Sequence, residues 1–377
     1  MKIVTIFVPL ATIGGGESLL LSLSAFFRTR GVEQKFILLT NSEIFEKKLT
    51  ENHIDYETVG DNKLTTTPGK KDYFSLFFRL IPKILKVRRL IISENPDVVI
   101  THGFPLSLIG SMVSDLLLGK YKFLYVHHAL KNKERGIVAD VYSSLLGRYS
   151  KIVGVSDGVR KSLVDAFPNL KDKIISIPNT VNVERFISNC SKDDLRRKLN
   201  LPSGIIGVNI SRFIPSKNHK LIVSLCKEIK ADNFHMVLIG DGKIFEEIAD
   251  LVRENGLSNR VIMVGYINPD LVPLYLRASD IYVFPSTQEG FPVVVLEAMA
   301  AGLPSVIFKE IYTNEFGNNL LVSGNRAEFI NNVEKLVADD NLRNTLSLKA
   351  ELYAKKFDVA VVGEMWLNLF KEITTNA

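Results

Sequence analysis

Two carboxylates eight positions apart, Glu289 and Glu297, bracket the run Gly290-Phe291-Pro292-Val293-Val294-Val295. Pro292 suits the first position of a helix, where its missing N–H costs nothing. The N–H groups of Val293, Val294 and Val295 are then expected to lack partners, and the helix dipole adds partial positive charge to them. Such a tip is an anion site, and a diphosphate fits it. Glu289 falls in the loop before the helix and Glu297 about one turn inside it. One acid can accept hydrogen bonds from a sugar and the other from a ribose diol, with phosphates between them.

Other residues of chemical type end strand-like runs. Arg212 follows Ile205–Ile210, and Lys217 comes five residues later. Arg grips oxygens in a bidentate way and Lys supplies a point charge, which suits a leaving diphosphate; solvated surface charge is the alternative. Gly240-Asp241-Gly242 reads as a tight turn after another strand. Gly14-Gly15-Gly16 follows the first strand and precedes a helix over Ser18–Arg30, where glycines let a ligand approach the backbone and its N–H donors. The spacing is not a dinucleotide fingerprint, and the second strand ends at Thr40-Asn41 without an acid for a ribose, so a nicotinamide cofactor is disfavoured. His127 and His128 end the run Phe123–Val126, and His102 ends Val98–Thr101. Adjacent strand residues face opposite ways, which weighs against a metal shared by His127 and His128, and the chain has no Asp-x-Asp motif.

The elements that must hold these residues alternate between strand and helix along the whole chain. Ile3–Val8, Phe36–Thr40, Val98–Thr101, Phe123–Val126, Ile152–Val155 and Ile174–Ile177 read as strands of a first half. Ile205–Ile210, Met236–Ile239, Val261–Val264, Ile281–Phe284 and Ser305–Phe308 read as strands of a second. Most are continuous β-branched runs, as parallel strands covered on both faces require. A chain of 377 residues is too long for one ordinary core. Two doubly wound α/β domains follow, with ligands at the carboxyl ends of their strands.

Taken in order, these segments resemble the family 4 retaining glycosyltransferases, which have the GT-B fold of two Rossmann-like domains facing a cleft. The segment Glu289–Gly302 resembles the family's two-glutamate signature, and Ser211-Arg212 with Lys217 its G-R-L…K element, with Ser211 in the glycine place. Gly240-Asp241-Gly242 resembles its G-x-G turn near the nucleotide, and Val261–Gly265 its V-x-F-x-G element, with Tyr266 beside the base or packed as an aromatic. Ile177-Pro178-Asn179-Thr180-Val181-Asn182 resembles the interdomain I-P-N-G-V-D element, with Thr180 and Asn182 replacing Gly and Asp.

The resemblance implies an acceptor-side domain over 1–180, a nucleotide-sugar domain over 181–357, and a helix over 358–377 crossing back to the first. It implies a hexosyltransferase-type enzyme that needs no metal or other cofactor and uses a UDP- or GDP-sugar. Arg212, Lys217, Glu289 and one of His127 and His128 are then the expected catalytic residues. Gly15, Gly16, Asn179, Gly240, Gly242, Gly290, Phe291, Pro292, Val293 and Glu297 are the expected donor-binding ones. The acceptor would be a glycan or a lipid-linked glycan, in bacterial surface polysaccharide or glycolipid synthesis. The stretch Ile307–Asn319 departs from the family by its shorter loop with one glycine, which bears on the shape of the donor pocket. A nucleotide-sugar epimerase or hydrolase of the same fold, and a non-catalytic binding module, are the rival readings.

Bulk properties narrow the partners. The net charge of +6 is uneven: residues 1–180 carry 25 basic and 17 acidic side chains, the rest 22 and 24. A basic half can face nucleic acid, an anionic membrane or a phosphorylated substrate. No known nucleic-acid module is present, which leaves nucleic acid the weakest of these. Over Lys70–Ile92 an apolar stripe (Phe74, Phe77, Phe78, Ile81, Ile84, Leu85, Ile91) lies beside Arg79, Lys83 and Lys86, with Pro82 expected to kink the helix or start a second one. Docking on anionic lipid and ordinary packing with a solvated face both stay open for it. Cys190 and Cys226 match no metal or redox spacing. With no apolar run long enough to span a bilayer, a cytoplasmic protein is expected, at the inner face of the membrane if the basic stretch docks.

Overall fold

A computed structural model describes residues 1–10, 13–60, 73–130 and 137–375. The chain divides into two compact units, Met1–Asn179 with Val362–Ala377, and Thr180–Val361. In the first, β1 (Lys2–Phe7), β2 (Glu33–Leu38), β3 (Asp55–Thr58), β4 (Val98–His102), β5 (Lys122–His127), β6 (Lys151–Gly154) and β7 (Ile174–Ser176) form one sheet. Its order is β3-β2-β1-β4-β5-β6-β7, and the pairings are parallel. In the second, β8 (Ile205–Ile210), β9 (Phe234–Ile239), β10 (Val261–Gly265), β11 (Ile281–Phe284), β12 (Ser305–Phe308) and β13 (Leu321–Ser323) form the sheet β10-β9-β8-β11-β12-β13, also parallel. The order reverses between β1 and β4 in one sheet and between β8 and β11 in the other. Those are the switch points where helices depart to opposite faces and leave a crevice at the strand ends.

Burial explains the strands. Val98, Val99, Ile281, Tyr282, Val283 and Phe284 are sealed from solvent, as central parallel strands covered on both faces must be. The core of the second unit gathers Phe213, Ile222, Leu225, Met236, Leu238, Val283, Val306 and Phe329 around its sheet. Two strands escape the sequence reading. Asp55–Thr58 is a half-exposed edge with polar alternation, and Leu321–Ser323 is three residues long.

Two further expectations are corrected. Of the two forms expected at Pro82, the start of a second helix is ruled out, since one helix runs as Tyr73–Glu94; a proline removes one rung of the ladder, and packing on the rest can outweigh it. Of the apolar stripe, Ile84 and Ile91 are buried with Val87 between them, whereas Leu85 is exposed. Lys86 is tied to Glu57 at 3.8 Å and to the Thr58 carbonyl at 3.3 Å. The side chains of Phe74, Phe77, Phe78 and Arg79 lie outside the described residues.

The junction between units lies at Asn179/Thr180 and at Val361/Val362. Thr180 donates its hydroxyl to the Phe357 carbonyl at 2.7 Å, and Val181 donates its N–H to the same oxygen at 2.9 Å. Thr180 thus holds this junction through its side chain as well as through the backbone beside it. From Val362 onward the chain belongs to the first unit, where Phe370 packs on Phe27 with ring centres 5.5 Å apart. Gly363 permits the approach: a Cβ there would meet the Phe26 ring at 2.3 Å.

Candidate functional site

In the second unit the switch point brings together the segments that leave β8 and β11, and these carry Arg212, Lys217 and Glu289. Lys217 closes the short turn Pro215–Lys217, and its ammonium pairs with Glu289 Oε1. The same oxygen accepts the Ser286 hydroxyl at 2.7 Å. The ammonium also lies 5.3 Å from the Phe284 ring centre. Side-chain exposure is 14% for Lys217 and 16% for Glu289, so water screens their attraction weakly. Lys217 was expected on a diphosphate and Glu289 on a sugar, and the structure joins them to each other. A ligand that takes either group must replace what the other supplied. Arg212 is exposed, and among the described residues its side chain has no partner.

The helix after Glu289 runs Val293–Ala300, with Pro292 as its cap at φ −72°, ψ 113°. Pro292 is therefore outside the helix, a correction to its expected place at the first helical position. Its carbonyl accepts the N–H of Val295 at 3.1 Å. The expected three free donors thus become Val293 and Val294, the groups that helix geometry leaves pointing out of the tip. Phe291, expected on the donor surface, is 3% exposed and packs on Phe316 and Phe357 at 5.0 and 5.6 Å between ring centres. It anchors the Gly290–Pro292 loop from inside.

Glu297 lies one turn into this helix, with an edge still open to solvent. Burial pushes its carboxyl up to about 7, and Arg185 opposes the rise. Arg185 is held by the Pro269 carbonyl at 3.0 Å. Tyr282 lies within the field of both acids: burial raises its phenol well above the usual range, and the charges of Glu297 and Glu289 add to that. Its hydroxyl donates to the Ile210 carbonyl at 3.2 Å. The sequence reading missed Arg185, Tyr282 and Ser286. Tyr282 reads there as one more apolar strand residue; only the position of Ser286, three before Glu289, offered a signal.

Gly240 and Gly242 serve the same region from below. Gly240 has φ +133°, and a Cβ there would meet the Ser211 carbonyl oxygen at 2.0 Å. Gly242 has φ +153° and would meet that of Phe213 at 2.5 Å. The turn after β9 thus lies directly against the segment carrying Arg212, which a side chain would forbid. The Gly240 N–H is already donated to the Gly265 carbonyl at 2.9 Å. Tyr266, next in sequence, is 44% exposed.

In the first unit the glycine loop closes on its own carboxylate. Glu17, 2% exposed, accepts the N–H of Leu10 at 3.0 Å and that of Gly14 at 3.0 Å. The helix Gly15–Thr29 begins there, so Gly15 and Gly16 stand in a first turn that already holds a negative charge. The two adjacent histidines diverge, as their strand position requires. His127, 6% exposed, meets the Tyr125 hydroxyl through Nδ1 at 2.6 Å. His128 Nε2 meets His102 Nδ1 at 3.1 Å with the rings stacked. Burial pushes His128 down to about 4, and His102 falls well below its usual value through burial and then the neighbouring His128. His102, at the end of the neighbouring strand, is thus the partner of His128. Asn179 is buried at the end of the unit. Among the described residues no three His, Cys, Asp or Glu side chains gather as a metal site would need, and no helix is long and apolar enough to cross a membrane.

Comparison with known proteins follows the same division. Residues 13–185 match the model for "Glycosyltransferase Family 4" and residues 191–352 that for "Glycosyl transferases group 1". The UDP-Gal:alpha-D-GlcNAc-diphosphoundecaprenol alpha-1,3-galactosyltransferase of Escherichia coli is 26% identical over 281 residues, 70% of this chain and 72% of that protein. A Campylobacter jejuni N-acetylgalactosamine-N,N'-diacetylbacillosaminyl-diphospho-undecaprenol 4-alpha-N-acetylgalactosaminyltransferase is 26% identical over 239 residues, 61% of this chain and 62% of its own length. Among solved structures, Anabaena Alr3699/HepE in complex with UDP-glucose superposes with a TM-score of 0.81 at 20% identity, over 99% of this chain and 100% of that one.

Proposed function

The chain belongs to the family 4, group 1 glycosyltransferases and has their GT-B fold, and from that premise we propose that it is a retaining, metal-independent hexosyltransferase. The donor is a UDP-sugar, as in the names of the E. coli and Anabaena proteins, with a GDP-sugar the second choice. The acceptor is a glycan carried on a lipid diphosphate, as in the names of both bacterial relatives, and the setting is surface polysaccharide or glycolipid synthesis at the cytoplasmic face of the membrane. Contact with anionic lipid through the basic helix Tyr73–Glu94 belongs to the same proposal.

The observation that carries the reading is the arrangement at one helix tip: Glu289 paired with Lys217, Glu297 one turn in, and Val293 and Val294 between them. Glu297 accepts hydrogen bonds from the ribose diol. Glu289 accepts from the transferred sugar once Lys217 turns to the phosphates. Lys217, Arg212 and the helix tip stabilise the charge that grows on the departing diphosphate, as preorganised donors do in other enzymes. The acceptor hydroxyl attacks from the face the diphosphate leaves. His127 or His128, at the end of a first-unit strand, is the remaining catalytic residue of the proposal.

Donor consumption measured with and without a lipid-diphosphate glycan acceptor tests this. Turnover that requires the acceptor supports transfer. Equal turnover without it indicates an epimerase or hydrolase, and donor binding without turnover a non-catalytic module.

A further inference from the structure

Three segments of the second unit carry the charged groups of the proposed site, and a chain of side chains with buried ends, Asn209 and His219, ties all three together. Asn209, at the end of β8, is fully buried and donates its side-chain N–H to the Val283 carbonyl at 2.7 Å. That bond fixes which way the amide points, so its oxygen faces Ser211, whose hydroxyl donates to it at 2.7 Å. A serine hydroxyl has one proton. With it committed to Asn209, Ser211 Oγ can only accept from His219 Nε2, which lies 3.1 Å away. The opposite tautomer would put a proton on Nδ1, a buried atom with no partner among the described residues, and a buried unsatisfied donor is costly. The ring of His219 is fully buried and stacks on Phe213, with centres 4.0 Å apart and planes 13° from parallel.

The positions of these residues give the network its purpose. Ser211 immediately precedes Arg212. His219 stands two residues after Lys217, across a left-handed Asn218 at φ +55°. Val283 precedes Phe284, on which the Lys217 ammonium rests. Burial and then the nearby Lys217 hold the His219 imidazole down to about 4, so it is a neutral donor at ordinary pH.

We propose that His219, with Ser211, is a positioning residue for transfer: the Asn209–Ser211–His219 chain locks the Arg212 and Lys217 segments onto β11 so that both cations meet the departing diphosphate. The proposal rests on the function proposed above.

The test compares H219F, H219Q and S211G with wild type and with K217A, by steady-state transfer and by thermal melting. Phenylalanine keeps the stack on Phe213 and loses the donor; glutamine can bring its own Nε2–H to the same point. H219F is expected to lower kcat about tenfold or more, since small misplacements of this kind are costly, with donor KM changed less than about twofold because Glu297 is untouched. H219Q recovers most of that loss, and H219F/S211G is no slower than the worse single variant. The proposal is overturned if H219F turns over like wild type, if H219Q is as slow as H219F, or if KM and kcat change together in step with melting temperature. A K217A variant as fast as wild type overturns the reading of the cations themselves, and with it this role. A slow K217A beside a normal H219F overturns this inference alone.

Discussion

Lys217 and Glu289, 72 residues apart in the chain, are ion-paired to each other at the carboxyl ends of β8 and β11. A cation and an anion that the proposed reaction assigns to different parts of one donor neutralise each other in the unliganded protein. The pair keeps either charge from standing alone in a poorly hydrated place.

Breaking this pair from one side should cost more stability than removing it entirely. K217M is expected to lower the unfolding free energy by about 3 kcal/mol, because Glu289 is left without its partner, and K217M/E289Q should recover much of that. Denaturant titrations of K217M, E289Q and the double variant check this. Equal losses in all three would mean that the pair contributes little.

Glu297 should make both stability and donor binding depend on pH. Its carboxyl is raised to about 7 from an ordinary 4.5. The folded state therefore favours the protonated form, and this contribution is full below about pH 4.5 and lost as pH rises through about 7. E297Q should remove that loss, worth at most about 3 kcal/mol at pH 8. In the proposed role it is the ionised form that accepts from the ribose, so affinity should rise through about pH 7 in wild type and stay flat and weak in E297Q. Titration calorimetry in buffers of different ionisation enthalpy should show proton release on binding near pH 6.5.

The histidines act in the opposite sense. His128 and His219 are pushed down to about 4 from 6.5, so the folded state favours their neutral forms. Their contribution is full above about pH 6.5 and lost as pH falls toward 4. Melting temperature measured across that window should drop on acidification, less steeply in H128Q.

Gly240 and Thr180 probe backbone packing. G240A must place a Cβ against the Ser211 carbonyl at a φ that alanine resists, and about 1–3 kcal/mol of destabilisation is expected. T180A removes the hydroxyl bond to the Phe357 carbonyl, at about 1 kcal/mol. Chemical denaturation of both variants measures these losses.

The fold was legible because its signals are local. Buried parallel strands such as Ile281–Phe284 are continuous apolar runs, and their alternation with helices leaves few topologies. The site was legible as a set of residues and much less as a geometry. The sequence named Lys217, Glu289, Arg212 and Glu297, but a side chain's partner is decided by which strands lie side by side, and β8 and β11 are far apart in the chain. Lys217 and Glu289 therefore read as independent groups. Pro292 read as the first helical residue because proline's fixed φ is close to the helical value, and only ψ tells a cap from a first turn. Phe291 read as a surface because its motif is functional, whereas Phe316 and Phe357, which bury it, lie outside that motif. His219 drew no notice, since a histidine two positions after a lysine has no pattern until Ser211 and Asn209 are brought beneath it.

The anomeric configuration of the product tests the central claim most directly. Proton NMR of the disaccharide-lipid formed from an α-linked UDP-sugar, with a metal chelator present, should show an α linkage formed only when acceptor is supplied. A β linkage, or free sugar released at the same rate without acceptor, would contradict retaining transfer at the Glu289–Glu297 helix tip.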